Sequence, residues 1–141
     1  MVGGQWVMPD TIQLEIVTPE RQVVSEPVAE VQIPGKNGYL GILPGHAPLI
    51  TELSVGEISY RSNGNTRYLA MAWGFAEVLP TKVTILAETA ERADEIDAER
   101  AQRSRERAEK LLRSGDPNTD YERALDSLKR AEARLDVVKR R

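Results

Sequence analysis

The sequence predicts an α+β chain: an N-terminal β-sandwich or flattened barrel over residues 1–90, then an antiparallel two-helix hairpin over residues 91–141. Two periodicities and one charge boundary carry that expectation. Before about residue 90 apolar side chains alternate with period 2, the spacing of a strand with one buried face. After it they recur at steps of three and four, the spacing of a helical stripe. Residues 1–90 hold 5 basic and 9 acidic side chains, and residues 91–141 hold 14 and 13, so charge concentrates in the last third. That shift places the domain boundary near Ala87 to Arg92.

Met1–Pro9 contains two glycines, a proline and a tryptophan, and residues 1–10 read as a loose leader. In Thr11–Val17, Ile12, Leu14 and Ile16 share one face, and Val28–Ile33 repeats the alternation. Gly38–Thr51 packs three glycines and two prolines into an otherwise apolar stretch, where Pro44-Gly45 and Ala47-Pro48 describe a shaped corner between two short buried strands. Asn63-Gly64, set between the strand-like runs of Tyr60–Tyr68, is the strongest short hairpin signal. Trp73–Val78 and Lys82–Leu86 supply two more strands, with Leu79-Pro80-Thr81 as the bend. Short strands with turns between them read as a sandwich.

Asp97 is placed to cap a first helix that runs to about Arg113, with Ala101, Ser104, Ala108, Leu111 and Leu112 on one face. Ser114–Asn118 breaks it with glycine and proline, and Thr119–Glu122 reads as a capping box with Thr119 as the cap. The second helix carries Tyr121, Ala124, Leu125, Leu128, Ala131, Leu135 and Val138 on one stripe. So short a break makes the helices antiparallel. The stripe is thin, and weak docking onto the sandwich is expected.

Several chemistries are excluded by composition. The chain has no cysteine and one histidine, so disulfides, thiolate metal sites and multi-histidine sites are unavailable. No apolar run approaches the ~20 residues of a membrane span, and no signal-peptide pattern is present, so a protein without direct membrane insertion is expected. Gly35-Lys36-Asn37-Gly38 is too short for a P-loop, and no acidic residue stands ready to hold a metal beside a water. His46 lies between Gly45 and Ala47-Pro48 without a serine or acid in a nucleophile motif, so it reads as structural or interfacial. Lys139-Arg140-Arg141 reads as an exposed helix end rather than a nucleic-acid patch, given a pI near 5.3.

Three marks in order point to a family. They are Gly38–Thr51, then Gly74-Phe75-Ala76-Glu77-Val78 with Lys82–Ala90, then Ile96–Ala101 opening the hairpin. Together they resemble the ε subunit of F-type ATP synthases, called δ in mitochondria, over about Thr11 to Val138. Tyr39 departs from relatives that carry an acidic residue there, and Trp73 from relatives with a small one.

The resemblance implies a non-catalytic central-stalk rotor subunit on the cytoplasmic face of the bacterial inner membrane. Its sandwich would bind the γ subunit and seat on the c-ring, with Tyr39, Leu40, Gly41, Pro44, Gly45 and His46 at that interface. The hairpin would be mobile. Folded down it permits turnover; extended along γ it contacts a catalytic β subunit through Arg123, Lys129, Arg130 and Arg134 and blocks ATP hydrolysis. No cofactor is required. In relatives that bind ATP as a regulatory ligand, the matching positions are Glu91, Ile96, Asp97, Arg100, Ala101, Arg107, Arg130 and Arg134.

Two readings of those arginines stay open. Arg103/Arg107 and Arg130/Arg134 are like-charged pairs at i,i+4, costing about 0.2–0.5 kcal/mol each unless an anion lies between them, and guanidinium forks suit phosphate. Against this, Glu99–Arg103, Glu106–Lys110 and Asp126–Arg130 are opposite charges at the same spacing, the ordinary dressing of an exposed helix. A second function class also stays open: a β-sandwich adaptor that dimerises through the Leu125/Leu128/Leu135 stripe.

Overall fold

Ile12, Leu14 and Ile16 are fully buried while Gln13, Glu15 and Val17 are half-buried, so the alternation along this run is that of a strand. The computed structural model describes residues 10–141; the leader expectation for residues 1–10 lies, but for Asp10, outside the described residues. Eight strands follow one another: β1 (Ile12–Val17), β2 (Gln22–Val28), β3 (Glu30–Gly35), β4 (Gly38–Ile42), β5 (Leu49–Leu53), β6 (Gly56–Ser62), β7 (Asn65–Val78) and β8 (Lys82–Arg92). A 3-10 turn over Ala93–Glu95 leads to helices α1 (Ala98–Arg113) and α2 (Tyr121–Val138).

The strand order is β2-β1-β8-β7-β5-β3-β4, with β6 bridging β3 and β7. Every pair is antiparallel except β1 with β8. The long β7 pairs β6 through its first half and β5 through its second in one continuous register, so β5 and β6 behave as a single strand bent at Ser54. At the bend Trp73 takes φ +46°, and its N–H donates to Ser54 O at 3.1 Å. Beside it, a Cβ on Gly74 would lie 1.9 Å from Leu86 O, so only glycine lets β8 come this close. The bend folds the sheet over a core of Leu14, Ile16, Ile33, Ile58, Leu69 and Ile85.

The Asn63-Gly64 turn forms as expected: both residues have positive φ, and Ser62 pairs Asn65 across a two-residue loop. Elsewhere the sheet corrects the sequence reading. Val28–Ile33 is not one strand. The chain leaves β2 at Val28, paired with Ile12, and enters β3 at Glu30, paired with Arg61 of β6. β2 itself is masked in the sequence because a register shift opposite Ile16/Val17 buries the adjacent Val23 and Val24 and breaks the alternation. β7 is continuous because Ala70, Met71 and Ala72 are all buried: Met71 faces the sandwich core and Ala70 lies under the helices. The strands flanking the Gly38–Thr51 corner are largely exposed rather than buried, with β4 at a sheet edge.

Asp97 caps α1 as expected, its Oδ1 accepting from Arg100 N at 3.1 Å. The cap of α2 is Asp120, accepting from Arg123 N at 3.1 Å, and not Thr119, since the helix starts one residue later than the capping-box reading placed it. α1 buries Ala101 and Ala108; α2 buries Ala124, Ala131, Ala133 and Val137. The stripe is therefore shifted, with Tyr121 and Leu125 exposed. The cause is that α2 is covered on two sides. It packs on α1 and also on β6 and β7, where Ala133 and Val137 meet Ala70 and Ile96.

Candidate functional site

The two helices leave a groove of about 580 Å³, lined by Arg107 of α1 and by Arg123, Arg130 and Arg134 of α2, with Ser104 and Ser127 between them. On α2, Arg123 lies seven residues, about two turns, before Arg130, and Arg130 lies four residues before Arg134, which is how one face of α2 comes to carry three guanidinium groups. Arg134 Nε donates to Glu91 Oε1 on β8 at 2.6 Å. Arg130 donates from Nη2 to Ser127 Oγ at 3.2 Å, and its guanidinium stacks over the Trp73 ring, 5.3 Å from the centroid. Among the described residues neither Arg107 nor Arg123 closes an ion pair. Asp116 and Asp120 stand at the mouth with one oxygen each turned to a backbone N–H, of Asn118 and Arg123 respectively.

The structure thus brings together Glu91, Arg107, Arg130 and Arg134 of the predicted ATP set. It does not bring the rest to the groove. Ile96 is buried against Ala70, Ala133 and Val137; Ala101 is buried in α1; Asp97 is occupied by the α1 cap; Arg100 points to solvent outside the groove lining. Of the residues assigned to a β-subunit contact, Lys129 is exposed and Arg123 lines the groove, while Arg130 and Arg134 are engaged by the sandwich. The three opposite-charge pairs expected along the helices do not close; Arg105–Glu109 at 2.9 Å does.

Lys139-Arg140-Arg141 is not simply an exposed helix end. Arg140 donates to both oxygens of Glu57 at 3.3 and 3.4 Å and stacks 4.9 Å from the Tyr68 ring centroid. The Glu57 carboxylate raises the Arg140 pKa above its ordinary value. Arg141 Nη1 donates to Ala93 O at 3.0 Å and Ile96 O at 3.1 Å. Periodicity could not find these contacts, since their partners lie in β6, β7 and the linker.

The six residues assigned to the c-ring and γ interface separate. Pro44, Gly45 and His46 sit beside the β7–β8 turn, where Gly45 N donates to Pro80 O at 2.8 Å with φ +85°. His46 N donates to Leu43 O at 3.1 Å, and its Nδ1 lies 2.7 Å from Ala47 O. This corner is at the end of β7 remote from Ala70, which α2 covers. Leu40 packs on the core, and Gly41 faces open space. Tyr39 belongs to the helix side: its hydroxyl accepts from Glu57 N at 3.0 Å and borders a depression shared with Ala133, Asp136 and Arg140.

The sandwich also carries an apolar outer face on β5, β7, β8 and β1. Ile50 (74% exposed), Phe75 (57%) and Leu86 (55%) stand there, with Phe75 opposite Leu86 and Leu86 opposite Val17. Trp73 and Pro19 border the same depression of about 630 Å³. Large exposed side chains grouped this way mark an interaction surface.

The beta-sandwich domain of the ATP synthase delta/epsilon chain matches residues 11–93, and the long alpha-helix domain of the same chain matches residues 94–139. The chain belongs to this family. Curated members similar to it are the ATP synthase epsilon chains of Koribacter versatilis, 66% identical over 110 residues covering 78% of each chain, and of Solibacter usitatus, 48% identical over 91% of this chain and 96% of that one. The ATP synthase epsilon chain of Herpetosiphon aurantiacus is 52% identical over 92% of this chain and 96% of that one. Among solved structures, this delta/epsilon family member is similar to a chain of the Euglena gracilis mitochondrial ATP synthase OSCP/F1/c-ring assembly, with TM-score 0.82 at 25% identity, covering 97% of this chain and 86% of that one. A chain of the Tetrahymena thermophila central stalk/c-ring structure shares the fold, with TM-score 0.55 at 11% identity over 95% and 98% of the two chains.

Proposed function

We propose that the chain is a non-catalytic rotor subunit of a bacterial F-type ATP synthase, held at the cytoplasmic face of the inner membrane through its partners. The apolar outer face around Phe75, Leu86 and Ile50 carries this reading: it gives the sandwich a surface for the γ subunit that the hairpin leaves uncovered. The corner at Pro44–His46, remote from the helices, is placed to meet polar loops of the c-ring. The apolar face buries little within this chain and so stabilises an assembly, at about 25 cal/mol per Å² covered.

The hairpin is the regulatory part. In the docked position Arg130 and Arg134 are held by Trp73 and Glu91, so the same guanidinium groups become available to a catalytic β subunit only when the hairpin leaves the sandwich. A ligand that binds the docked arrangement better shifts the equilibrium toward it. Arg107 and Arg123 of the groove, in no ion pair among the described residues, suit the phosphates of ATP in that role.

Co-purification with γ and c subunits tests the assembly reading. Phe75→Asp with Leu86→Asp should abolish γ capture while the isolated chain stays folded; a stable homodimer with no γ capture by the unaltered chain would sink it. Removing residues from Ile96 onward should leave assembly intact and raise ATP hydrolysis by the complex. Calorimetric titration with ATP tests the groove: saturable binding lost in Arg107→Ala and Arg130→Ala supports it, and no heat up to millimolar ATP returns the arginines to solvent.

A further inference from the structure

α1 packs chiefly on α2, so the hairpin touches the sandwich almost wholly through α2 and the turn after it. The apolar part of that contact is modest: Ala133 and Val137 cluster with Ala70 and Ile96, and Val55, Tyr68, Ala93 and Val138 pack half-buried against them. The two arginines beyond α2 make contacts of another kind. Arg140 grips both Glu57 oxygens and covers Tyr68, tying the turn to β6 and β7. Arg141 crosses to the Ala93 and Ile96 carbonyls, in the linker that joins the sandwich to α1.

The linker is where the chain must change φ and ψ if the hairpin is to swing away, since it connects two packed bodies by a few residues. A guanidinium that takes two of its carbonyls at once fixes that segment in one shape. It also joins the start of the hairpin to its finish, so neither helix can leave without breaking the Arg141 bonds.

We infer that Arg140 and Arg141 form a clasp which sets how often the hairpin leaves the sandwich, with Arg141 locking the Ala93–Ile96 hinge and Arg140 anchoring α2 to Glu57 and Tyr68. The clasp deepens the mobile-hairpin reading, but its test needs only the isolated full chain. Guanidinium contacts to a partly exposed carboxylate and to carbonyls weaken with ionic strength far more than the Ala133/Val137 contact does. Docking controlled by the clasp is therefore salt-sensitive.

Hydrogen–deuterium exchange on the full chain, with Arg140→Ala/Arg141→Ala compared against Lys139→Ala, decides the matter. Lys139 is a fair control because it pairs with Asp136 of its own helix at 3.7 Å. The clasp predicts about tenfold faster exchange in the linker amides and α2 of the double variant, with β1 and β2 unchanged. It also predicts that high salt brings the unaltered chain toward the variant. Unchanged exchange in the double variant overturns the inference, as does equal loosening in Lys139→Ala. Failure to capture γ would count against the rotor reading and leave this result untouched.

Discussion

Arg134 of α2 donates to Glu91 across 2.6 Å, and Glu91 is the last acidic residue of β8 before the chain turns toward the helices. Both side chains are about 30% exposed, so the pair lies between a surface ion pair and a buried one. Glu91→Gln should weaken hairpin docking by about 0.5–1 kcal/mol, after discounting for solvent screening. Exchange of α2 amides in the isolated chain is the readout, and no change would place the pair among surface bridges that contribute nothing.

Asp120→Ala should lower thermal stability of the hairpin by about 1 kcal/mol, because it removes the acceptor for Arg123 N. Thr119→Ala should do little. Helicity followed by circular dichroism through a melt separates them, and the reverse order would restore Thr119 as the cap.

Gly74→Ala should destabilise the sandwich by about 2–3 kcal/mol, since the added carbon meets backbone oxygen of Leu86 rather than a side chain that could turn away. The urea midpoint should fall with the m-value unchanged. A variant as stable as the parent would mean that β7 and β8 separate at no cost.

Tyr60 is buried beside Glu26, and burial first, then that carboxylate, pushes its hydroxyl above the ordinary value of 10.0. A raised folded-state pKa means stability is fully present below pH 10 and falls as pH rises through the folded value, because the unfolded chain ionises first. Tyr60→Phe should flatten that alkaline loss. Urea unfolding at pH 8 and at strongly alkaline pH measures it, and an equal loss in both proteins would assign the effect elsewhere.

Much of the fold was legible because local chemistry dictated it. The Ile12/Leu14/Ile16 alternation, the Asn63-Gly64 turn and the Asp97 cap each need only neighbours in sequence. β2 was hidden by its irregular pairing, and the middle of β7 by burial on both faces, since Ala70 meets α2 while Met71 meets the core. The site divides the same way. Helical spacing put Arg130 and Arg134 on one face, but their partners Trp73 and Glu91 come from strands that no spacing rule connects to α2. Ile96 is buried in the hairpin contact and Asp97 caps α1, a packing position and a cap that the sequence marks in the same short segment.

The parallel pairing of β1 with β8 has a consequence for how the molecule is made. Ile12, Leu14 and Ile16 sit on a strand whose second neighbour is Lys82–Arg92, so one edge of β1 stays open until that late segment has been synthesised. Loop closure of this length is slow compared with helix formation. Growing from its first residue, the polypeptide must therefore shield a bare apolar edge through most of translation, and the helical pair arrives only after the surface it rests on has been completed.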